Sequence, residues 1–204
     1  MSRVQVFRRG MVTSLVAVLL SAGGENLSGQ VGPYAFQIRG GGTHPVASFK
    51  DAAEGWEGEA GGGPSLGMGF TLPLFSVVGG YLGFSQHRFA CDENVCPEGK
   101  NWISTGFDVA LRVVLGQRKV RSWVQGGIHT NRIEGRVRRG EGIQSLHSEG
   151  GAGFEVGGGL LLTVAERMSL SPGVRYGSGD VPFSEHPTME LRYLVFDLGL
   201  VVGF

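Results

Sequence analysis

In "LRYLVFDLGLVVGF" (191–204), Leu194, Phe196, Leu198, Leu200, Val202 and Phe204 occupy every second position. Between them lie Tyr193, Val195, Asp197, Gly199, Val201 and Gly203. Successive side chains of a β-strand point to opposite faces, so this segment presents one wholly bulky apolar face. The other face mixes small residues with a charge. A helix would scatter the same residues around its circumference, so period two excludes it.

The period recurs along the chain. Phe107, Val109, Leu111, Val113 and Leu115 alternate with Gly106, Asp108, Ala110, Arg112 and Val114. Phe154, Val156, Leu160, Leu162 and Val164 do so with Glu155, Gly157, Gly159, Leu161 and Thr163. Further copies lie at 66–72 and 78–85, with weaker ones at 34–39, 120–129 and 168–176. Connections alternate too: short at 72–75, 116–119 and 165–167, long and polar near 45–60, 88–100, 132–148 and 178–190. Eight amphipathic strands with this rhythm predict an all-β fold, an eight-stranded antiparallel up-and-down transmembrane β-barrel. Tight turns would face the periplasm and large loops the exterior. A soluble barrel or sandwich is the alternative, with bulk inside and charge outside.

The orientation follows from cost. Faced inward, the non-bulky side carries Arg39, Asp108, Arg112, Glu155, Arg175 and Asp197, which balance in charge. Faced toward hydrocarbon, each would cost on the order of a few kcal/mol near the midplane. A lumen of paired charges is therefore expected, with Arg175 lying between Glu155 and Asp197. The chain holds 37 glycines, which lie among apolar residues rather than in polar tracts, so disorder is not expected. Lys+Arg and Asp+Glu total 18 each, so nothing points to nucleic acid.

Arg3, Arg8 and Arg9 precede the apolar run Met11–Leu20 and the small residues Ser21-Ala22-Gly23. This reads as a signal peptide over 1–23, with cleavage as late as residue 29, followed by a barrel domain over 30–204. Cys91 and Cys96 belong to an exported protein, and a disulfide between them is expected to close a loop tip.

The alternate-apolar final strand, the signal peptide and strands such as "PGVRYG" and "DVALRVVLG" resemble the small outer-membrane β-barrel family of the OmpA transmembrane domain and OmpX. The resemblance covers the mature chain as a pattern and implies location in the bacterial outer membrane. It also implies that the assembly machinery reads Phe204 together with Val202 and Leu200.

"GPSLG" (63–67) spells G-x-S-x-G around Ser65, but that elbow needs a following helix, and here it opens a strand. Some eight-stranded outer-membrane enzymes deacylate lipid A with a closely spaced His and Ser; "GIHTNR" offers His129, Thr130 and Asn131, without the serine, and the strand register points His129 inward, where lumen hydrogen bonds would satisfy it. The five histidines, His44, His87, His129, His147 and His186, fall toward the external half without metal-binding spacing, so scattered surface histidines are expected, with no metal and no cofactor. Arg132, Arg136, Arg138 and Arg139 crowd the third long loop, where guanidiniums suit phosphorylated lipid head groups; a solvated loop partly neutralised by Glu134 and Glu141 is the alternative. The first loop, with Asp51, Glu54, Glu57 and Glu59, is acidic. Trp102, Trp123 and Tyr193 are candidates for interfacial aromatic girdles, with barrel packing as the alternative. The expected role is non-enzymatic: envelope structure, surface interaction through the loops, or both. A narrow pore and a lipid-modifying enzyme are the alternatives. Expected partners are outer-membrane lipid and the assembly machinery, for a monomer.

Overall fold

The computed structural model describes residues 34–46, 60–91, 101–116, 119–139, 142–184 and 186–204. The expected signal peptide, Cys96 and the acidic residues of the first loop lie outside them, as do the side chains of Arg138, Arg139 and His186.

The described residues form ten strands: β1 (Ala35–Pro45), β2 (Ala60–Gly61), β3 (Gly63–Pro73), β4 (Val78–Cys91), β5 (Asn101–Leu115), β6 (Val120–Arg139), β7 (Gly142–His147), β8 (Gly151–Ala165), β9 (Met168–Phe183) and β10 (His186–Gly203). Eight make a closed antiparallel ring in the order β1-β3-β4-β5-β6-β8-β9-β10. Ala35 pairs with Thr71 on one side and with Gly203 on the other, so β1 joins the ring shut and satisfies the backbone groups of both neighbours. The other two strands sit at the long-loop end. β2 pairs with the end of β4, Ala60 opposite Cys91, and β7 folds back on β6, Glu134 opposite His147.

The short turns gather at the opposite end. Leu74 and Phe75 both donate backbone N–H groups to the Val78 carbonyl. Gly116, φ +99°, starts the β5–β6 turn in the left-handed region open to glycine.

The faces are inverted relative to a soluble protein. Ile38, Leu66, Phe107, Ile128 and Leu198 are all more than half exposed, whereas Arg39, Asp108, Arg112, Glu155 and Arg175 are under 5% exposed. Water outside this surface would be met by hydrocarbon, while charges lay sealed inside. Only a bilayer makes the arrangement favourable, so the soluble alternative fails. No helix of the described residues is long and apolar enough to cross a membrane; the chain crosses with strands.

Two of the expected long loops are instead strand. β6 runs through 132–136 to Arg139 and turns back into β7, and β9 and β10 continue to Phe183 and from His186. The reason is a reversal of polarity along the strands. On β10 the inward row reads Met189, Leu191, Tyr193, Val195 and then Asp197; the outward row reads Glu190, Arg192, Leu194 and then Phe196. β6 follows suit, with Ile133 inward between the outward Arg132 and Glu134. Above the belt the barrel is packed like a soluble one, and its outward charges make it read as loop.

Three interior layers result. An apolar core of Phe89, Trp102, Ile133, Val181, Leu191 and their neighbours fills the long-loop end. Charged and amide groups fill the middle. Val114, Trp123 and Leu161 form a small second cluster toward the short-turn end.

Candidate functional site

The middle layer is a chain of hydrogen bonds contributed by seven of the eight ring strands. Arg175 on β9 donates from Nε to Asp197 Oδ2 at 2.9 Å and from Nη1 to Glu155 Oε1 at 3.1 Å. Glu155 also accepts from Gln125 Nε2 at 2.8 Å. Arg39 donates from Nη2 to Asp108 Oδ2 at 3.2 Å, and its Nη1 stands 3.7 Å from Asp197 Oδ2. Ser85 Oγ reaches the same Asp108 oxygen at 3.5 Å. Desolvated charges need partners of this kind, since an unpaired one is expensive to bury.

Arg112 stands apart. It shares the inward face of β5 with Asp108, yet its Nε and Nη2 donate to Gln125 Oε1 at 3.0 and 2.7 Å, and its Nη1 to Gln37 Oε1 at 3.1 Å. Its guanidinium carbon lies 4.3 Å from the Tyr81 ring centroid and 4.9 Å from that of Trp123. Stacking on two rings is a geometry suited to arginine. Gly69 and Gly83 make room for Tyr81, because a Cβ at either would run into its ring.

One step toward the loops lie the polar groups that sequence motifs picked out. Ser65 Oγ is 2.9 Å from His87 Nδ1, and Asn131 Nδ2 is 2.8 Å from His129 Nε2. Tyr193 lies against both imidazoles, its ring centroid 4.9 Å from His87 and 6.3 Å from His129. The Ser65–His87 contact joins β3 to β4 inside the barrel, roofed by the apolar core. Thr130 points outward and His129 inward, so the two cannot share a reaction centre on either surface. His129 is buried in the lumen as its strand position implies; the expectation of surface histidines is corrected at His87, which is buried too, while His44 and His147 are exposed. Asp108, His129 and Glu155 place ligand-type atoms within 4.8 Å of one another. Both carboxylates already hold guanidiniums, which supply the positive charge a metal would bring.

The aromatic girdle is also corrected. Trp102, Trp123 and Tyr193 are buried in the lumen, where their bulk fills space that glycines leave. Gly135 admits the Trp102 ring, and Gly177 that of Tyr193. The outward aromatics are others. Phe204 stacks near Tyr34 and Phe70 at centroid distances of 6.5 and 5.8 Å, at the short-turn end. Leu200 and Val202 continue that outward row beside Ile38 and Phe36 of β1.

At the long-loop end Arg88, Arg136, Glu134 and His147 line an open groove of about 360 Å³. His147 Nδ1 stands 3.8 Å from Glu134 Oε1, and Arg88 and Arg136 are exposed. On β6 the apolar outward residues end at Ile128, and Arg132 and Arg136 follow, so the rim lies directly above the belt. Arg138 and Arg139 belong to the same β6–β7 ladder. Cys91 packs on the edge of the upper core.

Sequence periodicity missed the groove and the Tyr81–Arg112–Trp123 stack. Gly159, opposite Trp123 on the neighbouring strand, was an available sign of the latter.

No family model matches the chain, and no curated protein matches it. Solved structures do. Neisserial surface protein A superposes with a TM-score of 0.63 at 15% identity, over 88% of this chain and 100% of that one. The outer membrane protein OprG from Pseudomonas aeruginosa gives 0.56 at 14% identity, with the same coverage of 88% and 100%. What is shared at such identity is the fold.

Proposed function

We propose that this chain, whose fold is that of the small eight-stranded outer-membrane β-barrels, is a non-enzymatic integral protein of the outer membrane. It supports the envelope and meets its surroundings at the long-loop end. The observation behind this reading is a lumen closed across its middle. The hydrogen-bonded charge layer lies between two apolar clusters, and eight strands leave an interior only wide enough for side chains. With transport disfavoured, the long-loop end is the surface left to act. Reconstitution into planar bilayers tests this: no steady conductance is expected, and reproducible unit conductance would favour the narrow-pore reading instead.

Arg88 and Arg136 set the character of that surface. Guanidiniums pair with phosphate oxygens in a bidentate fashion, and these two stand where phosphorylated head groups of the outer leaflet would lie. Arg138 and Arg139 would extend the same contact. On the same reading, the assembly machinery recognises the outward row of Leu200, Val202 and Phe204, and the protein works as a monomer. The lipid contact is tested by the thermal midpoint in nanodiscs with and without phosphorylated outer-leaflet lipid. The lipid should raise the midpoint of the wild type and not of a combined Arg88→Gln, Arg136→Gln variant; equal rises would sink the assignment.

A further inference from the structure

The short-turn end of the lumen is not filled. A vestibule of about 210 Å³ opens there, and Arg112 lies at its inner end. Arg121 and Arg167 line it as well, against Glu166, so its charged lining is three cations to one anion. Thr163 and Ser169 add hydroxyl groups, and Val114 and Leu161 give it an apolar wall.

Arg112 is 3% exposed, and among the described residues its hydrogen bonds run to the neutral side chains Gln37 and Gln125. The carboxylates of Asp108, Glu155 and Asp197 are engaged by Arg39 and Arg175 instead. A buried cation normally has a countercharge within reach. Two amide oxygens and two aromatic faces solvate this one without neutralising it, and it forms part of the vestibule wall.

We propose that the vestibule is a binding site for a small organic oxyanion, a monocarboxylate with a compact apolar body. Arg112 is its charge partner, Arg121 and Arg167 draw it in from the water, and Val114 and Leu161 receive the apolar end. A carboxylate fits the flat guanidinium, and the apolar wall favours it over an equally charged but wholly polar phosphate. The charge layer above Arg112 makes this a pocket closed at one end.

The test uses the full barrel in nanodiscs, isotope-labelled so that the Arg112 Nε–H and Trp123 indole N–H resonances are followed. Butanoate, butanamide and inorganic phosphate are the probes. Butanoate should give saturable shifts at both groups, with about tenfold weaker response to butanamide, its neutral isostere. Arg112→Gln should remove saturation. Because that variant also alters the interior, Arg167→Gln serves beside it; it lies at the open mouth and should weaken butanoate binding while heat-modifiable mobility stays that of wild type. Absence of saturation with butanoate, or equal affinity for butanamide, would overturn the site. Tighter binding of phosphate than of butanoate would overturn the monocarboxylate assignment.

Discussion

Arg175 and Asp197 meet diagonally across the β9–β10 ladder, Nε to Oδ2 at 2.9 Å, with the guanidinium also held by Glu155. One cation thus serves two anions from strands on either side. Replacing it strands Glu155 in a water-poor interior and leaves Asp197 only the more distant Arg39 at 3.7 Å, a loss of about 3–5 kcal/mol. Arg175→Leu should therefore lower the urea unfolding midpoint in lipid vesicles far more than Arg136→Leu at the exposed rim. Adding Glu155→Gln to Arg175→Leu should restore part of the loss, since it removes one stranded charge.

Gly177 and Gly126 differ in what a side chain would meet. A Cβ at Gly177 would collide with the buried Tyr193 ring, whereas at Gly126 the nearest atom is a Val156 methyl at 3.9 Å. Gly177→Ala should cost about 1–3 kcal/mol through overpacking. Gly126→Ala should be close to neutral. The same unfolding assay compares them.

The boundary of the belt can be read on one strand. Leu198→Arg places a charge on the outward face amid hydrocarbon and should cost about 2–4 kcal/mol. Arg192→Leu, also outward but above the belt, removes a charge that already lies at the water level beside Glu190. Its effect on the midpoint should be small. Similar losses for both would mean that the belt is drawn at the wrong height.

Cys91 and Cys96 are expected to pair in an oxidising compartment. Closing so short a loop contributes about 2 kcal/mol in the chain-entropy account, before strain. Thiol labelling of the denatured, unreduced protein should modify neither residue, and labelling after reduction should modify both.

Within the belt, alternation alone was enough to assign residues to faces, because hydrocarbon demands a uniform outward row and even a single charge stands out. Leu194 to Val202 and Phe107 to Leu115 are read directly in this way. Above the belt the same rule misleads. Arg132, Glu134, Glu190 and Arg192 look like loop, yet they are the wet face of strands whose dry face is Ile133, Met189 and Leu191. Trp123 and Tyr193 show a second limit. Nothing local distinguishes an aromatic at a membrane interface from one filling the lumen, since the glycines that receive them lie on other strands. Which atoms meet is likewise decided by register: alternation puts Asp108 and Arg112 on one face, and the ladder sends Arg112 to Gln125.

The reversal of sides along β10 fixes the protein's draught. Its apolar outward row from Leu194 to Val202 spans roughly 27 Å along the strand at ~3.4 Å per residue, hence about 20 Å of height at the usual tilt. Raised, the molecule would lift Leu194 and Phe196 into water; lowered, it would drown Arg192 and Glu190 in oil. It therefore floats at a single level, like a hull with a painted waterline, and the rim arginines and the vestibule mouth are each held at a set distance from the membrane surface they face.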